Sequence, residues 1–408
     1  MFQVNEFSVA DAGLLPSYGQ GKWDSDQPES RRREVSAARI HEFRHGDCRV
    51  LMPSVYPDLA RPGNLDAMAR ANHLHVTWVQ EPPGLFAERW DAARLEREHG
   101  SNSDLEAFYT QILAVVDASP PRAVLIMGDG GRWHPTFVEA LRRRTMVAFW
   151  TGDDPEGSPV TSQPFVRYYD HVFCGGIYFS AAERIADKFV EWGAPKATFI
   201  PLGGCPDKFR PQGTKSDAEF FQGQRDIDVI YAGAAYKKKL WRIVALKRHF
   251  GDRLVLRGRR WDGKGMGWRG VALRGVRRLT GLHDIFEVTD GELVALYQRA
   301  KIGFNCHLSY GPSNLRLYEL PLNGVMQVCD CPEGLSELYR LGREVVPFRT
   351  FPEATRLIEH YLRHEDERAQ IAQAGHQRAV RDYPMEHSFR RLIAALGLAS
   401  PPRTADAS

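Results

Sequence analysis

The chain has 408 residues, 43% of them hydrophobic and 26% charged, with a net charge of +3 at pH 7. That composition is globular and the length is enough for two cores, which excludes a short disulfide scaffold, a low-complexity chain and a single small domain. No apolar run approaches the roughly 20 residues of a membrane span, and the start Met1–Glu6 carries no basic-then-apolar leader, so a cytoplasmic protein is expected.

Residues 1–46 are polar and read as an arm rather than core. From Cys48 strands and helices alternate. Strands are expected at 48–53, 75–80, 123–128, 146–151, 170–175 and 198–201, with helices at 62–72, 105–118, 135–144 and 181–192. The run Ile200–Pro211, with three prolines and two glycines, reads as an interdomain crossing, and Gln212–Arg225 as polar linker. A second alternation follows. Its strands fall at 227–233, 253–258, 302–306, 325–329 and 345–348, and its helices at 238–250, 292–300, 315–322, 352–364 and 365–380. Residues 383–396 form a last helix, long enough to cross back onto the first domain, and 400–408 a tail. Strands rich in Val, Ile and Phe between helices mean parallel sheets with helices on both faces. The expected organisation is therefore an α/β chain with an arm (1–46), a first domain (47–204), a linker (205–225), a second domain (226–382) and a crossing helix (383–399).

Six cysteines, at 48, 174, 205, 306, 329 and 331, show no second pair at zinc spacing, so reduced thiols and no metal or cofactor site are expected. Charge is uneven. Lys237–Thr280 holds fifteen Lys and Arg against two Asp, interleaved with Trp241, Trp261 and Trp268. This pattern suits either an anionic partner, nucleic acid included, or a solvated basic surface.

The stretch Ser313–Asp330 carries the most chemistry. Ser313 or Asn314 caps a helix over about 315–322, Asn323-Gly324 stops it, and Val325–Cys329 is a buried strand. A tight loop feeding a helix start collects free N–H groups and the positive end of the dipole, which suits an anion. Arg316 adds a bidentate phosphate contact and Glu319, one turn later, accepts from vicinal hydroxyls. Phosphate beside a diol suggests a nucleotide; the plainer alternative is an i, i+3 pair on a solvated face.

Two Rossmann-like halves joined by a Pro-Gly crossing suggest a GT-B glycosyltransferase. Ile200-Pro-Leu-Gly-Gly-Cys-Pro-Asp-Lys-Phe-Arg-Pro211 resembles the linker of family-4 type enzymes, and Asn314-Leu-Arg-Leu-Tyr-Glu-Leu-Pro-Leu-Asn-Gly324 resembles the signature of the CgeB-like, or spore-maturation-protein-like, branch. The resemblance implies parallel sheets facing across a cleft. It also implies a nucleotide-sugar donor on the second domain, an acceptor (glycan, protein or small molecule) on the first, and transfer without a metal. One departure stands out: family-4 enzymes carry two glutamates eight residues apart, and where Glu319 fits the second, Gly311 occupies the first.

Candidate donor residues are Ser313, Asn314, Leu315, Arg316 and Glu319, with Gly233 and Lys237 or Lys238 after the first strand of the second domain, where ligands bind in such sheets. The alternative for the lysines is a solvated helix start. By resemblance, Asp284–Val288 lines the base pocket. On the acceptor side, Asp153 and then Asp154 follow a buried strand and suit a general base or charge stabiliser, or else a helix cap before Pro155. His134 reads as catalytic or as a cap before Pro135. Gly130 and Gly131 allow close approach of substrate, and Tyr56 lines the acceptor pocket. Two other readings stay open: a nucleic-acid-binding or DNA-modifying transferase using the basic segment, and a GT-B epimerase acting on the donor alone.

Overall fold

A computed structural model describes residues 38–54, 62–82, 92–128, 132–152, 166–204, 225–234, 237–258, 287–307, 310–312 and 314–398, with residues 85, 221, 261, 275 and 285 between them. The described residues build two sheets within one contact unit spanning 37–408.

The first sheet takes β1 (Arg39–Arg44), β2 (Cys48–Ser54), β3 (Leu74–Gln80), β4 (Ala123–Met127), β5 (Met146–Thr151), β6 (His171–Cys174) and β7 (Ala197–Phe199) in the order β1-β3-β2-β4-β5-β6-β7. All neighbours are parallel except β1, which runs antiparallel to β3 with Arg39 opposite Gln80. This edge strand lies inside the segment expected to be an arm. Its outward face, including Ile40, is exposed, so its composition gave no core signal. The second sheet has β8 (Ile227–Ala232), β9 (Leu254–Arg257), β10 (Ala300–Asn305), β11 (Met326–Cys329) and β12 (Val346–Pro347) in the order β12-β11-β10-β8-β9, all parallel.

Helices between the strands are set by caps and buried stripes. α1 is Pro62–Ala71 and α2 is Ala92–Glu98, the latter not anticipated. In α3 (Ser103–Ala118), Asn102 accepts from the Asp104 and Leu105 amides, and Leu105, Phe108, Tyr109, Ile112 and Val116 form the inward face. α4 spans Pro135–Arg142 and α5 Ile185–Glu191. α5 starts later than expected because Tyr178 bridges Arg184 in extended backbone. In the second half come α6 (Lys237–Phe250), α7 (Asp290–Arg299), α8 (Arg316–Leu322), α9 (Pro332–Leu335), α10 (Phe351–Arg363), α11 (Glu365–Asp382) and α12 (Met385–Ala395). Capping boxes Thr289/Glu292 and Thr350/Glu353 fix the starts of α7 and α10. Among the described residues no helix is long and apolar enough to cross a membrane.

The two halves share one core. Val50, Leu65 and Met68 of the first half cluster with Leu317, Tyr318 and Tyr339 of the second and with Phe389, Leu392 and Ile393 of α12. α12 thus lies on the first half, where Arg390 donates to the Ala71 carbonyl and Asn72 to that of Glu386. The chain passes between the halves twice at one place: Gly204 donates to the Tyr383 carbonyl and accepts from the Met385 amide, at 3.0 and 2.9 Å.

At the open end of the second sheet, Gly258 has φ of 139°, and a Cβ there would stand 2.3 Å from the Gly233 carbonyl oxygen. Gly258→Ala is expected to cost about 1–3 kcal/mol and to part the ends of β8 and β9. Urea unfolding measures this, and an unchanged midpoint would refute the close approach.

Candidate functional site

Parallel strands deliver their C-terminal ends to one edge, where the loops gather. In the second sheet that edge holds Ala232, Arg257, Asn305 and Cys329, the last residues of β8, β9, β10 and β11. Arg316, the first residue of α8, reaches across it. Its Nη1 donates to the Ala232 carbonyl, Nε to Asn305 Oδ1 at 3.2 Å and Nη2 to the Cys306 carbonyl at 3.4 Å, and the guanidinium lies 4.8 Å over the Tyr231 ring. Gly233 is glycine because a Cβ would stand 2.1 Å from Arg316 Nη1. Three N–H donors of Arg316 therefore tie strand ends together, where a purely ligand-facing fork was anticipated.

Asn314 supports this arrangement. Its Oδ1 accepts from the Leu317 amide at 3.1 Å, and its amide group pairs with Asn305 in both directions at 3.0 and 3.2 Å. Leu315 is the residue before α8 and makes no side-chain cap bond. The N–H groups of this short helix are thus partly satisfied by the protein itself.

The cation best placed for an anion is one the sequence reading passed over. Lys239, in the first turn of α6, is 7% exposed and makes no hydrogen bond or ion pair among the described residues. Burial, reinforced by the Arg316 charge, pulls its ammonium down to about 8. A lysine whose side chain is mostly buried and whose ammonium has no hydrogen-bond partner among the described residues suits a ligand that supplies negative charge. Helical spacing was the available signal: Lys239 lies four residues before Ile243 on the face that also buries Leu240, Val244 and Phe250.

Beside Lys239 lies a second unanticipated group. His307 and Asp330 are both buried. The Asp330 carboxylate accepts from the His307 backbone amide at 3.0 and 3.1 Å and from Nδ1 at 2.6 Å. With Nδ1 as donor, Nε2 carries the lone pair; it is buried and has no partner. Burial lowers the His307 pKa, outweighing Asp330, so the ring is a neutral acceptor. Arg242 Nη1 lies 3.8 Å from the other Asp330 oxygen. His307, Cys329 and Asp330 present ligand atoms within 4.8 Å of one another. Hydrogen bonding of Asp330 to His307 and a Cys329 thiol held protonated by burial account for that cluster.

Glu319 is 6% exposed and accepts from the Tyr297 hydroxyl at 3.3 Å. Gly311 lies against the first domain: a Cβ would stand 2.7 Å from the Tyr178 carbonyl oxygen and 2.9 Å from its amide nitrogen. A glutamate at this position would collide with main chain, so the missing first acid has a steric cause. The same loop closes the junction, with Tyr178 Oη and Arg184 Nη2 donating to Glu337 at 2.7 and 2.8 Å.

Of the acceptor-side residues, Tyr56, Gly130, Gly131, Asp153 and Asp154 lie outside the described residues, as do Ser313 and the side chains of Lys237 and Lys238. His134 is placed as the cap of α4. Its Nδ1 accepts from the Thr136 amide at 3.3 Å, its Nε2 faces Glu96 at 3.2 Å, and its ring stacks on His99 at 3.7 Å. Just past β3, partly buried Glu81 pairs with Arg132 at 3.1 Å; burial raises its pKa, which makes it a carboxylate of interest at this edge. Of the basic segment's tryptophans, Trp261 is core, donating Nε1 to the Gly233 carbonyl at 2.8 Å, Trp241 is 64% exposed, and Trp268 lies outside the described residues.

Residues 237–394 match the family model described as glycosyl transferase-like. No curated protein matches the chain. Among solved structures, the chain is similar to a sucrose-phosphate synthase from Thermosynechococcus elongatus, with 13% identity and a TM-score of 0.62 over 87% of this chain and all of that one. It is also similar to HepE of Anabaena in complex with UDP and glucose, with 12% identity and a TM-score of 0.55 over 86% of this chain and all of that one. The fold is thus GT-B: two Rossmann-like domains with a C-terminal helix returning to the first.

The pKa of Lys239 sets the sign of a pH effect. Between about 8 and the ordinary 10.5, the unfolded chain keeps a proton that the folded chain releases, so this residue's contribution to stability rises with pH there. An anion needs the charged form, so pyrophosphate affinity should fall as pH rises above about 8, by up to about tenfold per unit. Lys239→Met should leave stability unchanged or raise it, while removing that pH dependence and most of the affinity. Calorimetric titration and urea unfolding check both.

Proposed function

We propose that the chain is a glycosyltransferase that moves a sugar from a nucleoside diphosphate donor to an acceptor without a metal ion. The observation that carries this is Lys239, mostly buried and without a hydrogen-bonded acid among the described residues, near Arg316 and at the start of the 14-residue helix α6. As the glycosidic bond breaks, charge grows on the leaving diphosphate. A preorganised ammonium with a helix N-terminus stabilises that charge without reorganising. Gly233 leaves room for the approach, and Arg316 and Asn314 hold the strand ends and the entry to α8 in register. Neutral His307, with Nε2 as acceptor, suits a donor hydroxyl, and Glu319 the ribose diol. On the acceptor side we assign the base to Asp153, with Asp154 and Glu81 as neighbouring carboxylates. A hexose donor and a cytoplasmic setting belong to the same proposal. HepE binds UDP and glucose, which makes UDP-glucose the first donor to test here by fold analogy.

The reading as a nucleic-acid binder is less well supported. Trp261 is buried in the core and not open to a base, and Arg253 is engaged by Asp228 and Glu359.

Thermal stabilisation by UDP, GDP, CDP, ADP and dTDP, with and without magnesium, tests the assignment. One diphosphate is expected to stabilise the fold, by about 2.7 kcal/mol at a hundred times its dissociation constant, equally in the absence of magnesium. A shift that requires magnesium, or none with any nucleotide, would overturn it. Glu319→Gln keeps shape and burial; it should raise the donor KM about tenfold or more, near 1.4 kcal/mol, with the unfolding midpoint little changed.

A further inference from the structure

We propose that His360, His364 and Glu367 form a site for a borderline divalent transition-metal ion, independent of the donor site. The three lie where α10 hands over to α11: His360 in the last turn of α10, His364 between the helices and Glu367 in the first turn of α11. One ligand atom of each lies within 4.8 Å of the other two. The imidazoles are four residues apart and stack at 4.0 Å with their planes 18° apart, so both rings line one side of the junction, and the His364 ring turns out of the stack to share an ion with His360.

The hydrogen bonds prepare these rings for a metal. His364 Nδ1 donates to the His360 carbonyl at 2.8 Å, which leaves Nε2 with its lone pair. That is the pattern by which a backbone carbonyl fixes the tautomer of a ligating histidine. His360 Nε2 faces Glu367 Oε2 at 3.1 Å. Two ligands of a tetrahedral ion with bonds of about 2.1 Å stand about 3.4 Å apart, so a metal replaces the proton shared by this pair with little movement. Two imidazoles and one carboxylate suit Zn²⁺, Ni²⁺ or Cu²⁺ and not Mg²⁺ or Ca²⁺, which seek oxygen ligands. All three side chains reach solvent, and three protein ligands leave coordination positions to water.

The consequence is structural. A metal here fastens the end of α10 to the start of α11, and α11 backs the donor-site helix, where His376 Nδ1 donates to the Pro321 carbonyl at 2.9 Å.

Calorimetric titration of the full chain with ZnCl₂ and NiCl₂, with MgCl₂ as control, tests the proposal, using His364→Ala and Glu367→Gln and thermal unfolding as a second readout. Both positions are exposed and serve no proposed role in transfer. One equivalent is expected to bind the wild-type chain and raise its Tm. Affinity should fall at least about tenfold in either variant. Absence of binding to the wild type, or zinc binding that His364→Ala leaves unchanged, overturns the site; the latter would assign the metal to cysteine thiols. Nucleotide binding is measured separately, so failure here leaves the donor-site reading standing.

Discussion

The second domain's working edge depends on the Arg316 guanidinium. Three parallel strands and a short helix meet there, and main-chain carbonyls at the strand ends need donors that the sheet no longer supplies. Arg316 provides them to Ala232 and Cys306 and binds Asn305 on the way. Gly233 and the Asn305–Asn314 amide pair follow from it, the first to make room and the second to return the loop to the helix.

This arrangement leaves positive charge beyond what the protein neutralises. Asp330 is committed to His307, and Lys239 has no acid of its own among the described residues. A mostly buried charge without an acid beside it costs stability that an anionic ligand would return on binding. Closing the two halves on one another at Tyr178, Arg184 and Glu337 uses ordinary surface chemistry. The double crossing at Gly204 and Tyr383–Met385 is narrow and main-chain in character, with the φ of Gly203 at 71°. The shared core around Phe389 and Tyr318 sits beside it.

Much of the fold was legible because parallel sheets write themselves as apolar runs of four to six residues between amphipathic helices. β4 (Ala-Val-Leu-Ile-Met) is buried at every position and could be read directly. β1 was not, since an antiparallel edge strand with an exposed face reads as polar chain. The second sheet's strand-end edge was legible by stretch, less so by residue. Arg316 and Glu319 were picked from their spacing, while Lys239 was passed over for its two neighbours because adjacent lysines differ only in which way the helix turns them. His307 gave no signal, since a lone histidine after a strand acquires meaning only when Asp330, just past the end of β11, comes to within 2.6 Å.

The sequence by itself determined the α/β class and the division into two halves, because periodicity and turn residues are properties of neighbours along the chain. Tertiary structure decided which lysine is buried, why Gly311 stands where an acid was expected, and that Arg316 spans strand ends. Each of these turns on groups far apart in the chain: Tyr178 against Gly311, Ala232 beneath Arg316, Asp330 beside His307. Burial and main-chain approach set those outcomes, and neither is written in the order of residues.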